Sequence, residues 1–107
     1  MRTAYLTLKE FAAMPTTAEL ITLLQEVFRE QLSHRSLPDT DAPLFGEHGA
    51  LDSMDLVTYA AEVEDAVGIR YGRNIVIADA KALSRGKSPF RTLTALADYC
   101  LEQMNAA

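Results

Sequence analysis

The sequence predicts an all-α protein: a four-helix bundle with three main helices, a short third helix and a long loop between the first two. Three observations carry this expectation. Apolar residues recur at spacings of three and four in three separate segments, the period of a helix with one buried stripe. Each of these segments opens on a Thr or an Asp, residues whose side chains cap helix N-termini. The β-branched run from Asn74 to Ile77 stands alone, and one isolated strand makes no sheet.

The chain has 107 residues, a length that suits one domain. Residues 1–16 form an N-terminal arm or extension with weak amphipathic character from Leu6, Leu8 and Phe11, interrupted at Pro15. Met14, just before the periodic pattern, is an alternative start. Residues 17–107 form the domain. Thr16 or Thr17 caps the first helix, whose buried stripe is Leu20, Leu24, Val27 or Phe28, and Leu32. Glu19, Gln25, Glu26, Arg29 and Glu30 take the wet side, and the helix ends near Ser33 or His34. The loop from Arg35 to Leu51 is punctuated by Pro38, Pro43, Gly46 and Gly49, with Leu37, Leu44 and Phe45 as its anchors. A loop of this length without its own structure is uncommon unless functional.

The second helix runs from Ser53 to Val67, capped by Asp52 through the amide of Met54 or Asp55 and closed by Gly68. Its core face is Leu56, Ala60, Val63 and Val67. Met54, Asp55, Thr58, Ala61, Glu62 and Asp65 fall on a separate, acidic arc, with Glu64 apart on the flank of the buried face. Asp55 and Asp65 are expected to be exposed. Asn74 to Ile77 leads, extended, into the short third helix at Asp79 to Ser84, and Arg85 to Pro89 makes a turn. Thr92 or Thr94 starts the last helix, with the stripe Leu93, Leu96, Ala97, Cys100, Leu101 and Met104.

No apolar run approaches the ~20 residues of a membrane span, so membrane insertion is not expected. The N-terminus lacks the continuous apolar block of a secretory signal. Cys100 is the single cysteine and has no partner for an internal disulfide, which makes the reducing cytoplasm the expected compartment. The net charge is −5. From Ser36 to Ile69 there are eight acids (Asp39, Asp41, Glu47, Asp52, Asp55, Glu62, Glu64 and Asp65) and no Lys or Arg. Such a stretch repels nucleic acid and attracts basic protein surfaces.

Several short patterns fail on inspection. Gly86-Lys87-Ser88 resembles the end of a phosphate-binding loop, but position 81, where the earlier glycine belongs, is Lys81. Asp39-x-Asp41 opens like a calcium loop, but its sixth position is Leu44 and its twelfth Ala50. Ser53, His48 and Asp52 lack a nucleophile elbow or an oxyanion motif. His34, His48 and Cys100 lack metal-ligand spacing.

The run Gly49-Ala50-Leu51-Asp52-Ser53-Met54-Asp55 is the most informative stretch. It puts a hydroxyl directly after a capping Asp, behind a long Pro/Gly loop and at the head of an acid-studded helix that ends in Glu62-x-Glu64-Asp65 and Gly68-Ile69. Here the chain resembles the acyl carrier proteins, over roughly residues 17 to 104. The resemblance implies a free-standing carrier, not an enzyme, with 4′-phosphopantetheine attached to Ser53 and acyl groups held on its thiol as thioesters. It implies partner recognition by Asp52, Met54, Asp55, Thr58, Glu62, Glu64 and Asp65. The implied partners are a phosphopantetheinyl transferase and acyl-loading, elongating and transferring enzymes of fatty acid, polyketide or other specialised biosynthesis, and the carrier itself is expected to be a monomer. Ile69, Ile75, Ile77 and Leu83 are expected to wall any space for cargo, or simply to pack the core.

The sequence also departs from the family. Many fatty-acid carriers have Gly-x-Asp-Ser-Leu, whereas Ala50 and Leu51 here separate Gly49 from Asp52. The run Phe45 to Met54 is also similar to D-alanyl carrier proteins, so an aminoacyl/D-alanyl or peptidyl carrier protein is the alternative, although peptidyl carriers usually have Gly-Gly before the Ser and lack the Asp. Thr58 stands where many members have an acid. The rival from another class is an unmodified helical adaptor that binds a basic partner through its acidic face.

Overall fold

A computed structural model describes residues 15–46, 48–78 and 89–106. Among them are three helices, α1 (Thr17–Gln31), α2 (Ser53–Tyr71) and α3 (Leu93–Ala106), and no strand. The all-α class is as expected. The short helix expected at 79–84, with Leu83, and the arm up to residue 14 lie outside the described residues.

Helix α1 starts at a capping box. Thr16 Oγ1 accepts from the Glu19 amide at 3.1 Å, and Glu19 Oε1 accepts from the Thr16 amide at 2.8 Å. Glu19 therefore has a structural task beyond facing solvent, one that the Thr-x-x-Glu spacing already carries. The helix ends at Gln31 with Leu32 as its C-cap, slightly earlier than expected. All of its expected stripe is buried, and Leu23 joins it.

Helix α1 packs against both α2 and α3. The deepest tie to α2 is Tyr59, which is fully buried although the core stripe expected for that helix omitted it. Its ring meets Phe28 edge-on, centroids 5.6 Å apart, and its hydroxyl donates to the Leu24 carbonyl at 2.6 Å. Leu56, Ala60, Val63 and Val67 complete the buried face of α2, and Leu93, Leu96, Ala97, Cys100 and Met104 that of α3. Thr92 caps α3, its Oγ1 accepting from the Ala95 amide at 3.0 Å.

Helix α2 does not stop at Gly68. It continues to Tyr71 and closes on Gly72, whose φ of 66° is the left-handed conformation that favours glycine. An interior glycine costs about 1 kcal/mol relative to alanine. That cost is offset by tertiary contacts of the added turn: Arg70 pairs with Glu26 at 3.4 Å, and Tyr71 packs against the core. The chain then runs from 73 to 78 without helix or strand, with Ile75 and Ile77 buried and Val76 exposed. Ile69 is 71% exposed, so it walls no interior space, contrary to expectation.

The long loop is ordered by packing and by hydrogen bonds to α3. Leu44 and Leu51 are buried, and Leu37 and Phe45 pack partly against the core. The Leu44 amide donates to the Arg91 carbonyl at 2.7 Å, the Thr94 amide to the Thr40 carbonyl at 3.1 Å, and the Leu51 amide to the Leu44 carbonyl at 2.9 Å. A Cβ on Gly49 would stand 2.6 Å from backbone atoms of Phe45, so this turn requires glycine. Leu44→Ala should destabilise the fold by about 2–5 kcal/mol in urea unfolding, because it empties a fully buried leucine site. A loss below about 1 kcal/mol would show that Leu44 does not anchor the loop.

Candidate functional site

The loop delivers the chain to the N-terminus of α2. Asp52 is extended there, and its Oδ1 accepts from the Asp55 amide at 2.8 Å, one of the two caps expected. Ser53 is the first helical residue and is exposed. Among the described residues no hydrogen bond engages its hydroxyl. The first-turn amides and the helix dipole favour negative charge at this end.

Two side chains just past α1 close on this helix start. Arg35 Nε donates to Asp55 Oδ2 at 2.6 Å, and Arg35 Nη2 to Asp52 Oδ2 at 3.1 Å. His34 Nε2 lies 3.1 Å from Asp55 Oδ1. The Asp55 side chain is only 12% exposed, which corrects the expectation that it faces solvent; Arg35 and His34 cover it. Partial burial pushes the Asp55 carboxyl up. Hydrogen bonds from His34 and Arg35, then the positive charge of Arg35, outweigh that and hold it below its ordinary value of 3.8.

Glu64 is also engaged. Its Oε2 accepts from the Ile77 amide at 2.6 Å and the Ala78 amide at 3.0 Å, so this carboxylate holds the 73–78 segment against α2. The remaining acids of the arc are Glu62, half-buried, and Asp65, exposed; no ion pair engages either among the described residues. Thr58 and Ala61 are exposed between them. The outer face of α2 is thus more apolar than its acid count suggests. Met54 is 81% exposed and Val57 58%, and with Ser53 and Thr58 they line a shallow recess of about 360 Å³.

Sequence reasoning named Asp52, Ser53, Met54, Asp55, Thr58, Glu62, Glu64 and Asp65, and the helix start gathers Asp52 to Asp55 in one place. It missed Val57, His34 and Arg35. One signal for Arg35 was available: it is the last basic residue before the Ser36 to Ile69 stretch that lacks Lys and Arg. Cys100 lies apart, fully buried in α3, and burial followed by the nearby Glu64 charge pushes its thiol up to about 12. It is a small core residue, protonated at neutral pH. No group of side chains among the described residues is arranged to hold a metal ion, and no helix there is long and apolar enough to cross a membrane.

No family model, curated protein or solved structure matches this chain. The functional reading therefore rests on the site.

The folded Asp55 carboxyl titrates below its ordinary value, so the ionised form stabilises the fold above pH 3.8. That contribution is lost as the pH falls through the folded value. Wild type should melt higher than Asp55→Asn near neutral pH, with the gap closing in acid below about pH 4. Thermal melts across that range check this, and a gap that persists or widens in acid would contradict it.

Proposed function

We propose that this chain is a free-standing carrier protein whose Ser53 accepts 4′-phosphopantetheine and presents acyl groups held on that arm to partner enzymes. The observation that carries the reading is an exposed serine at the first residue of α2, its hydroxyl without a hydrogen bond among the described residues, within Asp52-Ser53-Met54, on a helical fold whose long loop is pinned behind it.

The residues at this position suit the group. A hydroxyl with open approach accepts a phosphoryl group from an external enzyme, and the resulting phosphodiester is anionic. It would sit beside the first-turn amides of α2, where the helix dipole favours negative charge. Asp52 and Asp55 oppose that charge, and Arg35 offsets them in part. The arm, when attached, supplies a thiol for thioester formation. This chain's own residues supply the anchor, a flexible apolar neighbour in Met54, and a face that partners can read. Acyl cargo of fatty acid, polyketide or specialised pathways is the first reading; an aminoacyl or D-alanyl cargo is the alternative within the carrier class.

The second reading is an adaptor that needs no modification. It draws on the exposed Met54, Val57 and Ile69 together with Glu62 and Asp65, a mixed apolar and acidic face of the kind that docks on a basic partner. Incubating the chain with coenzyme A and a broad-specificity phosphopantetheinyl transferase separates the two. Intact mass should rise by one phosphopantetheine, and Ser53→Ala should stay unmodified. No mass change with a transferase that modifies a control carrier would favour the adaptor.

A further inference from the structure

Resting on the carrier reading, we infer that Arg35 is a specificity-determining residue: it withdraws Asp55 from the surface that basic partners read, while Asp52 stays 61% exposed, and leaves Glu62 and Asp65 to carry the charge contacts further along the helix. The expectation of one continuous acidic face fails at the start of α2. There, Asp55 is covered by His34 and Arg35, and Asp52 is shared between the cap and the same guanidinium. A partner lysine or arginine that addressed Asp55 would have to displace Arg35 Nε at 2.6 Å and open a side chain that is 12% exposed. Charge-assisted contacts of this geometry are short and strong, and breaking one without a replacement leaves a largely covered carboxylate with His34 alone beside it. Asp65 and Glu62 have no such competitor among the described residues, and they sit about two to three turns further along the same helix than Asp55.

The consequence is a shifted footprint. Partners should engage Met54 and Val57 beside Ser53 through apolar contact and take their charge contacts from the middle of α2. Because Arg35 and Asp55 cancel each other, deleting both leaves net charge unchanged, whereas deleting Asp65 does not. That difference separates masking from general electrostatic steering.

The test is transferase-catalysed loading of phosphopantetheine from coenzyme A, read as KM and its salt dependence, for wild type and four variants. Asp65→Asn should raise KM roughly two- to fivefold, the worth of one exposed charge contact. Arg35→Gln should lower KM and steepen its salt dependence, because the uncovered Asp55 carboxylate joins the readable face. Arg35→Gln combined with Asp55→Asn should return KM to within about twofold of wild type. Glu62→Gln should resemble Asp65→Asn. Should Arg35→Gln melt below the assay temperature, the combined variant, which leaves no carboxylate stranded at position 55, decides alone. A combined variant whose KM rises as far as that of Asp65→Asn overturns the inference, since Asp55 would then be read directly. If wild type itself is not loaded, the carrier reading falls and this inference with it.

Discussion

Arg35 is the side chain on which the geometry around Ser53 depends. The start of α2 carries Asp52 and Asp55 a turn apart, and two carboxylates so close repel each other even where a helix dipole favours them. Asp52 caps the Asp55 amide, while Arg35 bridges the second oxygen of each carboxylate and His34 covers the remaining one of Asp55. The result fixes the N-terminus of α2 against the chain leaving α1. Ser53, between the two acids, is exposed. The same bridging shapes the charge pattern of the helix, because it covers Asp55 in the first turn, whereas Asp65 further along is exposed.

The loop between α1 and α2 meets the same requirement by other means. Its backbone amides and carbonyls cannot pair within a helix, yet each buried one needs a partner. Two find it at and just before the start of α3, through Leu44 to Arg91 and Thr94 to Thr40, and Leu44 and Leu51 add apolar burial. A long connection is thus tied at its middle to one helix and at its end to another. The segment after α2 follows the same logic on the opposite side, where one Glu64 oxygen takes two consecutive amides and lets Ile75 and Ile77 enter the core.

What could be read from the sequence is what short spacing determines. The stripes Leu20 to Leu32, Leu56 to Val67 and Leu93 to Met104 are periodic, and their burial follows from that period. The Asp52 and Thr16 caps were legible because each acts within three residues. The interactions that were not legible are distant: Arg35 with Asp55 across 20 positions, Thr94 with Thr40 across 54, Tyr59 with Leu24 across 35. Each depends on which helix faces lie together, which no local pattern specifies. The extension of α2 past Gly68 belongs to the same class, since tertiary contacts of Arg70 and Tyr71 outweighed a local stop signal. Asp55 is the instructive case at the site. Its place on the polar arc was correct, but its cover came from His34 and Arg35, just past the end of α1.

The hydroxyl at the head of α2 is central to the carrier reading, and its state in the cell tests that reading most directly. The protein would be purified from its own host without added transferase, digested, and the peptide containing Ser53 weighed and fragmented. A phosphopantetheine on Ser53, with an acyl or aminoacyl group on its thiol in part of the population, is the expected result. A bare Ser53 throughout, in cells where the pathway it serves is running, would contradict it.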